Sequence, residues 1–194
     1  MYRFPSGCYT DVRIEDVHST RINITLGRLD AFTVRSYRAA FVRLFDGKRW
    51  FYSAVSSPGA IQGEMDSLAS MASPDAGIGS HPVVRRLQAC RERRILFEDD
   101  PVSGVEPAGK LRLLEQSVKP MASFPPVKSW SGAYMDERKV KRFFSSLGAD
   151  LEFDVQIVGL AGRFRLSEGD RRFAETAHVT ASRPGELEPL EHVL

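Results

Sequence analysis

Cysteine is nearly missing from these 194 residues, with only Cys8 and Cys90 present. Two distant cysteines make no disulfide framework in a chain this long, and neither sits in a CxxC or beside a histidine, so free thiols are expected. Charge of one sign is also lacking. Lysine and arginine total 27 against 25 acidic residues, a formal charge of +2, which gives no footprint for nucleic acid or an anionic membrane. No apolar run reaches the roughly 18–20 residues that span a bilayer, and the opening MYRFPSGCYTDV holds no stretch of signal-peptide length. These absences make a cytoplasmic protein without membrane contact the expectation. Low-complexity sequence and repeats of the solenoid kind are lacking too.

What is present is an ordinary globular balance, 42% hydrophobic and 27% charged, in a chain long enough to bury a core. The first 55 residues alternate with period two. Val12 and Ile14 are interleaved with Asp11, Arg13 and Glu15, and Ile22, Ile24 and Leu26 with Arg21, Asn23 and Thr25. Gly27-Arg28 suggests a glycine-first hairpin turn before Leu29–Arg35, where Phe32 and Val34 share a face. Arg38–Phe45 reads as a central strand, and Asp46-Gly47 as a turn leading to Trp50–Val55. A meander of about four or five antiparallel strands is expected here.

Ser57-Pro58 then opens a helix over Ala60–Ala72, with Ile61, Met65, Leu68 and either Met71 or Ala72 at helical spacing. Residues 73–82 are rich in Gly, Ser and Pro and read as a loop, 83–96 as a short helix or irregular chain, and 98–107 as an exposed acidic connection. A second helix is expected from Pro107 to Ala122, burying Leu111, Leu114, Val118 and Met121 with Lys110 off that face, and with Pro120 bending its last turn. Strands return at 128–135 and 139–145 around a turn at 136–138. Further on, Leu151, Phe153, Val155 and Ile157 alternate with Glu152, Asp154 and Gln156, and strands at 163–166 and 171–180 flank a turn at 167–170. The order strands, helix, loop, helix, strands indicates an α+β fold, a mainly antiparallel sheet with helices packed on it.

Residues able to carry chemistry are scattered. His18, His81, His178 and His192 have no second histidine at helical spacing, so no HExxH zinc helix exists. There is no GxSxG elbow and no P-loop, and Gly77-Ile78-Gly79-Ser80 has no strand feeding it. Glu98-Asp99-Asp100 lacks the register of a cation loop and reads as a solvated segment. Arg85, Arg86, Arg91, Arg93 and Arg94 form the one basic cluster, diluted by the acidic run that follows. Among Trp50, Phe51 and Tyr52, alternate rings face the core, and an outward ring is a possible partner surface. No catalytic, cofactor-binding or metal residue is assigned.

The order of the elements resembles the N-terminal domain of the TldD/PmbA family of metallopeptidases, historically labelled modulators of DNA gyrase. The similar stretches are Tyr9-Thr10-Asp11-Val12-Arg13, Thr20-Arg21-Ile22-Asn23-Ile24, Gly27-Arg28-Leu29-Asp30 and the hairpin Phe41–Ser53 containing Asp46-Gly47. A helix such as Ala60–Ala72 follows in the family, and Ser146-Leu147-Gly148 resembles a later turn. Here only eight residues precede the first strand, where family members usually carry a helix. The resemblance implies a C-terminal half with an HExxxH-type site and a cysteine binding a metal ion, zinc, in active subunits. These 194 residues contain no such segment, so the chain alone is expected to be inactive and to hold no cofactor.

The whole of residues 1–194 is then expected to form that N-terminal domain, enclosing substrate and pairing subunits in a two-domain enzyme of proteolysis or peptide maturation. Its expected partners are a peptide or unfolded protein, and a second identical or homologous subunit. The competing expectation is a free-standing α+β module that binds a peptide or protein without catalysis. A DNA-associated regulator acting through the arginines is disfavoured by the near-neutral charge.

Overall fold

The computed structural model describes residues 2–193. Its sheet runs in the order β3-β2-β1-β5-β6-β4, with β7 also paired to β6. These strands are β1 (Tyr9–Thr25), β2 (Arg28–Phe45), β3 (Trp50–Val55), β4 (Arg91–Arg94), β5 (Val127–Ser145), β6 (Asp150–Glu168) and β7 (Arg171–Ala181). Pairs β2–β3 and β6–β7 are antiparallel, whereas β4 joins β6 in parallel. Two α-helices, α1 (Ile61–Met71) and α2 (Pro107–Ala122), complete the expected α+β class. The chain divides into two compact units. The first comprises Met1–Val17, Tyr37–Leu96 and Lys139–Asp154, and the second His18–Ser36, Phe97–Arg138 and Val155–Leu194.

In the first unit, Ile61, Met65 and Leu68 of α1 are buried among Val12, Ile14, Ala40, Val42 and Leu44. Of the two residues offered for the last inward position, Met71 is 52% exposed and Ala72 packs against this core. A 3-10 turn at Pro58–Ala60 precedes the helix, and Ser57 makes no side-chain cap bond. The β2–β3 hairpin forms at Asp46-Gly47 as expected, but only Gly47 needs the left-handed region, with φ 93°. Asp46 instead folds its buried carboxylate over the turn. Oδ1 accepts from the N–H groups of Lys48 and Arg49 at 2.9 Å each, and Oδ2 from Ser73 N–H at 3.2 Å. Residues 83–96, ambiguous in sequence, hold a 3-10 turn at Val84–Arg86 and then β4. Four exposed residues, RERR, show no period to read, and only pairing to β6 makes them a strand.

The second unit centres on Ile22, Ile24, Leu114, Val118, Tyr134, Val158, Leu160 and Val179. Its β1–β2 turn uses Leu26 at φ 50° and Gly27 at φ 79°, so the glycine comes second and Leu26, expected inside, is 56% exposed. Left-handed φ at both central residues is the twist-matched hairpin geometry.

Several expected breaks are absent. β2 is one strand of 18 residues, which reduces the expected four or five strands of the meander to three. β5 runs straight through 136–138, because Asp136 is polar on account of a buried partner and not of a turn. β6 likewise continues from 150 to 168.

The alternation in β6 is inverted relative to expectation. Phe153, Val155 and Ile157 are 39%, 45% and 42% exposed, whereas Asp154 and Gln156 are buried. The physical reason is backbone satisfaction. In the first unit Asp154 accepts Leu96 N–H at 2.7 Å. In the second, Gln156 accepts Val102 N–H at 2.9 Å and donates to the carbonyls of Asp100 and Ser182 at 3.2 and 2.9 Å. Irregular backbone at 100–102 is thereby anchored, and Val102, expected in an exposed connection, is fully buried.

Candidate functional site

Helix α2 covers the span read from sequence, but its inner face carries an ion. Lys110, Leu114 and Val118 recur every four residues and all are buried. Lys110, placed off this face by its charge, is only 2% exposed. Its Nζ donates to Asp136 Oδ2 at 2.7 Å and to Thr20 Oγ1 at 2.8 Å. Tyr134 O–H donates to the same Oδ2 at 2.7 Å, while Thr20 N–H reaches Oδ1 at 3.0 Å. Asp136 and Thr20 are 1% and 0% exposed. A buried ammonium and carboxylate are tolerable only when paired and hydrogen-bonded like this. Burial, reinforced by Asp136, pushes the Tyr134 phenol well above its ordinary value.

His18 lies at the margin of this cluster. Its Nδ1 contacts Ser36 Oγ at 2.9 Å, and its buried Nε2 has no hydrogen-bond partner. Burial and the Lys110 cation lower its pKa, with Asp136 opposing them. Apart from His18 Nε2, the groups around Lys110, namely Asp136, Thr20 and Tyr134, bond to one another inside the cluster, which suits it to clamping α2 onto β1 and β5 more than to turnover. Nothing in the sequence pattern joins Thr20, Lys110, Tyr134 and Asp136. The one available signal was a lysine at helical spacing with Leu114 and Val118.

Two hollows open in the same unit. One, of about 410 Å³, is walled by Pro120, Met121, Phe124, Val127, Phe164 and Leu166 and is almost wholly apolar. The other, of about 510 Å³, lies over strands β1, β5, β6 and β7 between Arg21, Asn23, Met135, Gly159, His178 and Thr180. The small residues Ala133, Gly159 and Ala161 create this second hollow, since side chains of ordinary length there would fill it.

The other residues weighed from sequence stay apart. Arg93 and Arg142 both reach Glu152, at 3.1 and 2.9 Å, and Arg91 Nε donates to the Gly148 carbonyl at 3.0 Å, so part of the arginine cluster is spent on internal contacts. Glu98 and Asp99 are exposed. Gly77–Ser80 forms a turn steadied by Asp75 Oδ1, which accepts Gly77 N–H at 2.8 Å. His81 accepts Val83 N–H at 3.2 Å, and His178 and His192 are exposed. Trp50 stacks on Phe45 and lies under the Arg43 guanidinium, which is itself held by Asp11, while Tyr52 faces outward at 55% exposure. Both cysteines are free, Cys8 buried and Cys90 exposed. Burial, and then Asp46, pushes the Cys8 thiol up, the opposite of what a thiolate nucleophile needs. Among the described residues no three His, Cys, Asp or Glu side chains gather as a metal site. No helix among them is long and apolar enough to cross a membrane.

No curated protein matches the sequence. Three crystal structures share its fold over 95% of this chain at 13–14% identity. They are a candidate modulator of a DNA gyrase from Thermotoga maritima (TM-score 0.74), a candidate modulator of DNA gyrase from Bacteroides thetaiotaomicron (0.69) and TldE from Thermococcus kodakarensis (0.69). The chain spans 42%, 45% and 43% of their respective lengths, less than half of each. Residues 10–73, from β1 to the end of α1, match the family model described as PmbA/TldA metallopeptidase domain 1.

Proposed function

We propose that this chain acts as the non-catalytic first domain of a PmbA/TldD-type metallopeptidase, cytoplasmic, enclosing a peptide or unfolded-protein substrate and pairing with an identical or homologous subunit. The match of residues 10–73 to the first domain of that family carries the proposal. Two features support it. The buried ion pair, Lys110 and Asp136, is mutually neutralised and leaves no open position for a reacting water. The exposed surface instead offers apolar material, with Met135, Val155 and Ile157 uncovered and two hollows beside α2 and over the sheet. Such surfaces, and bare strand edges, hold an extended chain through backbone pairing and side-chain pockets. A metal ion, zinc, then belongs to the remainder of the enzyme.

The test is an incubation of the purified 194-residue chain with zinc and an unstructured fluorogenic peptide. The expected result is peptide retention, read by fluorescence anisotropy, with neither cleavage nor a tightly held metal. Cleavage together with stoichiometric transition metal would overturn the proposal.

A further inference from the structure

Strand β2 is 18 residues long, yet β3 pairs only with its last six, Ala40–Phe45. β1 occupies the opposite edge. Among the described residues, no strand covers the outer edge over residues 28–36. A bare edge is a template for another strand, and proteins usually blunt one with proline, lysine, a bulge or a cover. The segment reads RLDAFTVRS, with neither proline nor lysine, and its charges are Arg28, Asp30 and Arg35. Leu29, Phe32 and Val34 within it are 52%, 36% and 46% exposed.

We infer that this edge is an interface between two copies of the chain, paired antiparallel through residues 30–36 about a two-fold axis at Thr33. A closed dimer uses the same patch on both partners. A two-fold axis that joins two copies into one continuous sheet stands perpendicular to it, so residues directly opposed lie on the same face. Positions on one face of a strand differ by an even number, which leaves few registers. Centred on Phe32, the pairing sets Asp30 against Val34 and Leu29 against Arg35. Centred on Ala31, it sets Asp30 against Phe32 and Arg28 against Val34. Centred on Val34, it sets Phe32 against Ser36. Centred on Thr33, it sets Phe32 against Val34 twice, Ala31 against Arg35, and Asp30 against Ser36. That register alone among the four covers aromatic with β-branched side chain, a favourable cross-strand pair, and opposes no like charges.

The inference rests on the pairing half of the proposed function and names its surface. Sedimentation equilibrium of the 194-residue chain is expected to show a species of twice the 21.7 kDa chain mass. Thr33→Lys, which sets two ammonium groups face to face on the axis, is expected to weaken it about fivefold or more. Circular dichroism checks that this variant stays folded. In a Cys90→Ser background, Thr33→Cys is expected to give disulfide-linked dimers under mild oxidation. Arg35→Cys, opposed to Ala31, is expected to give none. A monomer at high micromolar concentration, a dimer indifferent to Thr33→Lys, or equal cross-linking at both positions would overturn the inference. Peptide cleavage by the isolated chain bears only on the non-catalytic assignment, so the two ideas fail separately.

Discussion

Replacing Lys110 by methionine removes a buried cation while keeping nearly the same volume against Leu114 and Val118. The Asp136 carboxylate then keeps two donors, Thr20 N–H at 3.0 Å and Tyr134 O–H at 2.7 Å, so its charge is left partly compensated. Breaking one side of a buried pair costs about 3–5 kcal/mol, and the surviving donors set Lys110→Met at about 3 kcal/mol. Asp136→Leu is worse. It strands the Lys110 ammonium, the Thr20 amide and the Tyr134 hydroxyl together, for about 5 kcal/mol or more. Charge reorders these costs in the double variant, where no unpaired ion remains and only the two neutral donors are orphaned. Its cost is expected to fall short of the sum of the singles by at least about 2 kcal/mol. Trp130 packs against the same core, so urea unfolding followed by its fluorescence in a Trp50→Phe background reads this unit directly. The slope with urea should stay constant while the midpoint moves. Strict additivity, or a Lys110→Met variant within about 0.5 kcal/mol of its parent, would refute the idea that the pair clamps α2.

The remaining expectations concern pH and the turns. His18 has its folded pKa lowered by burial and Lys110, so the unfolded chain takes the proton first. Stability is therefore expected to fall as pH drops through the ordinary histidine value of 6.5, and His18→Gln to flatten that slope in urea titrations at stepped pH. In Lys110→Met, the His18 pKa followed by NMR is expected to rise. Burial alone would raise the Asp46 carboxyl, but the N–H groups of Arg49, Lys48 and Ser73 outweigh it and hold the pKa low. A carboxylate with a depressed folded pKa stabilises above its unfolded value and loses that contribution as pH falls below about 4. Asp46→Ala is expected to cost about 2–3 kcal/mol by thermal unfolding at neutral pH, through three orphaned amides. Leu26 sits exposed at φ 50°, a region leucine disfavours, so Leu26→Asn is expected to stabilise by about 0.5–1 kcal/mol in the same assay. A Cβ added at Gly132 would meet Val118, Leu114 and Ile24 at 3.0–3.2 Å, and Gly132→Ala is expected to cost about 1–3 kcal/mol.

The legible and illegible parts of this sequence divide along one physical line. Period two in Val12/Ile14 and Ile22/Ile24, and helical spacing in Ile61/Met65/Leu68 and Leu114/Val118, record apolar burial, and the structure buries all of them. The Asp-Gly hairpin and the Pro107 helix start were legible because turns and caps use a small set of residues. Polarity misled at Lys110, Asp136, Asp154 and Gln156, all buried to satisfy a partner far away in sequence. Lys110 and Asp136 satisfy each other, Asp154 an amide of Leu96, and Gln156 three backbone groups. A partner 26 or 58 residues distant leaves no local period, so the same letters spelled a turn at 136–138 and a wet face on β6. The inversion on β6 has a further consequence. Once Asp154 and Gln156 are committed inward, pleat geometry forces Phe153, Val155 and Ile157 outward whatever their hydrophobicity. Uncovered apolar side chains here therefore follow from anchoring an irregular segment. Replacing Val155 and Ile157 by threonine should leave stability within about 0.5 kcal/mol, because neither is buried. If the proposed enclosure of substrate uses this face, the same replacement should release a bound unstructured peptide in the anisotropy assay, and retention of the peptide would place its contacts elsewhere.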